Sequence, residues 1–119
     1  MSDQAEALKL RTKRFALRII KVCRSLPRSA EAKVIGNQLL RSGTSIGANY
    51  WAACRARSRA EFAAKIGIVV EETQETVFWL ELLVEAGLFR RQRLQNLLTE
   101  ANELLAIFAA SQITARSPR

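Results

Sequence analysis

The chain of 119 residues has no histidine, one aspartate (Asp3), two cysteines, two prolines and five glycines. Without histidine there is no imidazole general base, no Ser/His or Cys/His nucleophile pair, and no histidine-containing metal site. Cys23 and Cys54 form no spacing motif, and two thiolates alone do not complete a metal site. They read as free, mostly buried thiols of a reducing compartment. The longest uninterrupted apolar run, Leu104 to Ala110, is far too short to span a bilayer. The opening MSDQAEALKLRTKR lacks the apolar core of a signal peptide. A soluble, cytoplasmic protein with no membrane partner, no metal and no cofactor is therefore expected.

Alanine, leucine, glutamate and arginine abound, which with so little proline and glycine predicts an all-α protein. The length suits one domain, 1–119, with a single core. Four apolar frames step alternately by four and three residues. The first is Leu8, Thr12, Phe15, Ile19, Val22, Leu26, and Pro27 ends it. The second is Ile35, Leu39, Ser42, Ile46, Asn49, Ala53. The third is Phe62, Ile66, Val69, Thr73, Thr76, Leu80, Leu83, closed by Gly87 as a left-handed cap with Leu88 folding back. The fourth is Leu94, Leu97, Ala101, Leu104, Phe108, reinforced by Leu98 and Leu105. Helices are predicted over about 3–26, 29–56, 59–86 and 90–113, with a frayed tail from Thr114. A 3.5-residue repeat favours shallow left-handed crossings, and short connections force antiparallel neighbours. The fold expected is an up-down-up-down antiparallel four-helix bundle.

The stretch from Leu39 to Leu83 is the most distinctive. Ser42 to Asn49 is small or short and polar throughout, apart from Ile46. Glycine in a helix interior costs about 1 kcal/mol against alanine, so Gly36, Gly43 and Gly47 on one helix require a packing reason. Close approach of another helix within the subunit explains them, and so does close approach between subunits. Asn49 at a heptad position would fix register if buried. Ser58-Arg59-Ala60-Glu61 is a capping box that starts helix three. Leu10 and Leu17 lie opposite the Phe15 stripe, and Trp51, Val70, Val77 and Phe78 also fall outside the narrow seam. A second stripe needs a second surface to cover it, so self-association is expected.

The net charge of +8 is unevenly spread: residues 41–59 hold four arginines and no acid, whereas 60–89 hold six glutamates against Lys65. The pairs Glu71/Glu75 and Glu81/Glu85 sit at i, i+4 and are able to share a metal. Without Glu-x-x-His beside them, a solvated or ion-paired face is the better account. On helix one, Arg11, Arg14, Arg18 and Lys21 cluster away from the Phe15 stripe. Arg55, Arg57 and Arg59 surround the turn between helices two and three, and Arg41 precedes the small stretch. Such groups contact phosphates, or they simply pair with neighbouring glutamates.

The run Gln38-Leu-Leu-Arg-Ser-Gly-Thr-Ser-Ile-Gly-Ala-Asn-Tyr50, then Arg57-Ser-Arg-Ala-Glu-Phe62 and Glu75-Thr-Val-Phe-Trp-Leu80, resembles the four-helix-bundle family of 23S rRNA intervening sequence proteins. That family is also called the S23 ribosomal protein family. The resemblance covers about Phe15 to Leu105. Its pattern falls on Gln38, Arg41, Ser42, Ser45, Asn49, Ser58, Glu61, Phe62, Lys65, Trp79 and Leu80, with Gly43 and Gly47 inside the small stretch. Members often carry an acid shortly after the Asn-Tyr pair, where this chain has Trp51-Ala52-Ala53-Cys54. The resemblance implies an up-down bundle that assembles as a homo-oligomer, with five subunits favoured. Some members are encoded within insertions of large-subunit ribosomal RNA genes. A related branch serves as accessory protein to diversity-generating retroelements, binding nucleic acid and a reverse transcriptase.

The expected function is non-enzymatic: a basic oligomer that binds structured RNA or another nucleic acid mainly through phosphates and shape. The candidate contacts are Arg11, Arg14, Arg18, Lys21, Arg41, Arg55, Arg57 and Arg59. Ser42, Gly43, Ser45, Gly47, Asn49, Ser58, Glu61, Phe62 and Trp79 are assigned to packing. The alternative is a protein-interaction scaffold or accessory subunit that docks on a nucleic-acid enzyme such as a reverse transcriptase.

Overall fold

Serines start three of the four helices. Ser2 accepts from the Ala5 amide, Ser29 from Ala32 and Ser58 from Glu61, each filling one of the orphan donors at a helix N-terminus. In a computed structural model, which describes residues 2–118, α1 spans Asp3–Arg24, α2 Ala30–Ala53, α3 Arg59–Glu85 and α4 Arg91–Arg116. Five-residue connections turn each helix back along the last, giving a four-helix bundle of 50 × 23 × 20 Å. The Glu61 carboxylate reaches the amide of Arg57 (3.4 Å) rather than that of Ser58, so the capping box is closed one residue further out. At the far end of α3, Gly87 adopts φ +74°, with Leu88 N–H on the Leu83 carbonyl and Gly87 N–H on that of Val84. This is the Schellman cap expected there.

The inward stripes are those of the four frames. Phe15, Ile19, Leu39, Ile46, Ile66, Leu80, Leu83, Leu94, Leu104 and Phe108 are fully enclosed. Two expectations change. Tyr50, not Asn49, occupies the core and stacks against Phe108 with ring centres 5.2 Å apart. Asn49 is half-buried and turns its amide back onto the Ser45 carbonyl (2.9 Å), so it bonds within its own helix and fixes no register. Val70 is also core, because α3 packs against both α2 and α4 and its apolar face is wider than one seam.

The small stretch serves contact within the subunit. A Cβ on Gly43 would lie 2.8–2.9 Å from the γ-carbons of Ile19, and one on Gly47 3.2 Å from the Thr12 hydroxyl. Both glycines thus let α1 lie close on α2. On the opposite side of α2, Thr76 donates to Ser42 (2.9 Å) between α2 and α3, while Ser45 bonds back to the Arg41 carbonyl. Among the described residues no buried side-chain polar atom lacks a partner. The α1–α4 pairing is the most sparsely packed of the four and is bridged by charge.

Candidate nucleic-acid interface

Three of the eight candidate cations are held by the bundle itself. Arg11 donates from Nε and Nη2 to both oxygens of Glu100, and from Nη2 to Glu103, each at 2.7 Å. It therefore borders the core stripe and ties α1 to α4, rather than facing away from Phe15. The bonds to Glu100, then its charge and that of Glu103, raise the guanidinium pKa and keep it charged. Arg41 crosses from α2 to α3, donating to Glu72 (3.0 Å) and to Glu75. Glu75 also accepts from the Trp79 indole (3.1 Å). Arg41 first, and Trp79 second, hold that carboxyl below the usual carboxylate range. Arg59 donates to the carbonyls of Thr114, Ala115 and Ser117 at 2.8–3.1 Å. These are the orphan acceptors at the C-terminus of α4. With them satisfied, α4 continues to Arg116 instead of fraying from Thr114.

The other five, Arg14, Arg18, Lys21, Arg55 and Arg57, are exposed, and none forms an ion pair among the described residues. Of the residues assigned to packing, Trp79 is half-buried and Phe62 packs on the core edge where α3 starts beside α4.

The fold also gathers cations that sequence patterning did not single out. The α1–α2 and α3–α4 turns share one end of the bundle. Arg24 and Arg28 flank the first turn, and Arg90, Arg91 and Arg93 follow the second. Ser25 of the first turn lines the same groove as Arg90, Arg91 and Arg93, a depression of about 630 Å³ that places the two turns side by side. All five arginines are exposed, and none has a carboxylate partner among the described residues. Arg93 rests its guanidinium 4.5 Å from the centre of the Phe89 ring, within cation–π range. The available signal was Arg90-Arg91-x-Arg93 at the start of a helix, where the macrodipole disfavours cations.

α4 is also the one described helix without a side-chain N-cap or a first-turn acid; Arg90 holds the cap position. Its exposed start combines unsatisfied N–H groups with guanidinium groups, an arrangement suited to phosphate oxygens. The Cys23 thiol is pushed up by burial, and the Tyr50 hydroxyl is pushed up by burial and by Cys54. Neither is an activated nucleophile. Among the described residues no group of three metal-ligating side chains converges, and no helix is long and apolar enough to cross a membrane.

No functionally curated protein matches the chain. A crystal structure of a protein of unknown function from the S23 ribosomal protein family of Bacteroides thetaiotaomicron is 35% identical. The alignment covers 87% of this chain and 96% of that one, with a TM-score of 0.81. Residues 7–110 match the pattern of the 23S rRNA-intervening sequence proteins. Bundle, motif and match together place the chain in one family: it belongs to the 23S rRNA-intervening sequence proteins.

Proposed function

We propose that the protein is a non-enzymatic, self-associating bundle that binds RNA through its unpaired cations. The observation that carries this reading is the convergence of Arg24, Arg28, Arg90, Arg91 and Arg93 on one end with no carboxylate to neutralise them. Unpaired surface arginines repel one another, and a polyanion that displaces its own counterions relieves this repulsion. Arg55 and Arg57 form a smaller unpaired group at the opposite end. The family's description refers to an intervening sequence of 23S rRNA, which makes RNA the polyanion to test first.

Self-association follows from two ridges. On α1, Leu10 and Leu17 are 47% and 58% exposed and alternate with Arg14 and Lys21. On α3, Phe78 is 54% exposed and stands between Glu71 and Glu85, which form no ion pair among the described residues. The basic-apolar ridge complements the acidic-apolar one. The two lie on different faces of the bundle, so copies join head to tail and close into a ring when the rotation allows. A ring of five is the form the family resemblance suggests. Arg14 and Lys21 then face a neighbouring subunit, and the ends carry the RNA contacts.

A scaffold function is the second reading, favoured by the diversion of Arg11, Arg41 and Arg59 into intramolecular bonds. Light scattering combined with RNA binding across a salt series separates the two. An oligomeric mass with affinity falling steeply as salt rises is expected; an oligomer that ignores RNA at low salt would leave only the scaffold.

A further inference from the structure

Trp51 is the exposed member of the tryptophan pair. Trp79 is half-buried and pinned to Glu75, whereas Trp51 stands on the outer side of the α1–α2 seam with 36% of its surface exposed. Its indole N–H donates to the Lys9 carbonyl of α1 (3.3 Å), which fixes one edge and holds the ring in place. The ammonium groups of Lys9 and Lys13 lie 4.9 and 5.5 Å from the ring centre. Lys9 is paired with Glu6, but Lys13 and the nearby Arg55 have no carboxylate partner among the described residues. Beside the ring opens a notch of about 390 Å³, lined by Lys13, Ala16, Thr44, Ala48, Trp51 and Arg55. Its floor carries nothing larger than threonine, and a flat group reaches the indole once the flexible Lys13 side chain swings off the ring.

An aromatic wall, a small-residue floor and two unneutralised cations select a ligand with a planar ring next to negative charge. A lipid chain has no use for the stacking wall, and a carboxylate alone has none for the floor. A nucleotide satisfies all three, with its base on the indole and its flanking phosphates near Lys13 and Arg55. We propose that this notch receives one unpaired base of the bound RNA, stacked on Trp51, with Lys13 and Arg55 on the adjoining phosphates. This rests on the RNA-binding reading and refines it. The arginine-rich end senses charge alone, whereas the notch distinguishes an unpaired nucleotide from a base already stacked in a duplex.

The test uses the full chain carrying Trp79→Phe, which leaves Trp51 as its sole tryptophan. Three probes of equal charge are titrated: single-stranded oligouridine, an abasic phosphodiester and an RNA duplex. Trp51 emission should be quenched by the base-bearing strand and left unchanged by the abasic one, although both bind. Adding Trp51→Leu should weaken single-strand binding roughly 5- to 150-fold, the loss a stacked base carries, and leave abasic binding unaltered. Trp51→Phe, which keeps a stacking ring, should retain most of the single-strand preference. Equal quenching by abasic and base-bearing strands, or salt-dependent binding of all three probes with no quenching, would overturn the notch while leaving the charge-based reading intact. Failure of every probe to bind would overturn both.

Discussion

The two ends of the bundle both carry arginines, and the fold uses them differently. Where α3 begins beside the finish of α4, Arg59 is consumed by three carbonyls. There α3 begins with a serine cap and Glu61, as the helix dipole favours. At the other end, α4 begins on Arg90 with no side-chain cap and has Arg91 and Arg93 in its first turns. Each cation there opposes the macrodipole by about 0.3–1 kcal/mol. At the first end one arginine is spent on the fold, and Arg55 and Arg57 are left unpaired. At the other, five arginines have no carboxylate partner among the described residues, and two of them lie in the first turn of α4 against its dipole. Arg59 and Arg91 are alike in chemistry and differ in what the topology puts within reach.

The waist between the ends is where the largest effect is expected. Gly43 faces the branched, enclosed Ile19, which has little room to shift. Gly43→Leu should destabilise the fold by about 1–3 kcal/mol or more through overpacking, and both ends should fail together. Thermal unfolding checks this, and an unchanged melting temperature would mean that α1 yields freely. Smaller substitutions separate the ends. Arg59→Gln should cost about 1 kcal/mol and speed hydrogen exchange in the last turn of α4, with RNA affinity little changed. Arg91→Glu should do the reverse, raising stability by about 0.3–1 kcal/mol while weakening RNA binding. If Arg91→Glu lowered the melting temperature, Arg91 would be serving the fold and the contrast between the ends would collapse.

Much of this was legible in the sequence. The four frames, Pro27, the Gly87 cap and the Ser58 cap lie in local patterns of one or two turns, and the helices follow them. Tyr50 was hidden because a single narrow frame through Ile35, Ile46 and Ala53 selects Asn49, whereas the buried face of α2 is wider and also runs through Gly36 and Gly43, on whose side Tyr50 lies. The fates of Arg11, Arg41 and Arg59 were hidden for another reason. Their partners Glu100, Glu72 and the α4 carbonyls are distant in sequence, and one charged residue on a helix border looks like any other until its neighbouring helix is placed. The arginine end is a similar case. Arg24 and Arg28 belong with Arg90, Arg91 and Arg93 once the up-down topology is followed to its turns, and not before.

The most direct measurement is the slope of log RNA affinity against log salt concentration for three variants beside the parent chain. The first carries Gln at positions 90, 91 and 93, the second carries Arg55→Gln and Arg57→Gln, and the third carries Arg11→Met and Arg41→Met. Each lost phosphate contact removes about 0.7–0.9 from the slope, so the first should flatten it by about two to three units and the second by up to about two. The third removes guanidinium groups already bonded to glutamates, and it should lower stability but leave the slope as it was. A slope equal in the parent and the first two variants, or one that flattens only in the third, would contradict RNA binding by the unpaired ends.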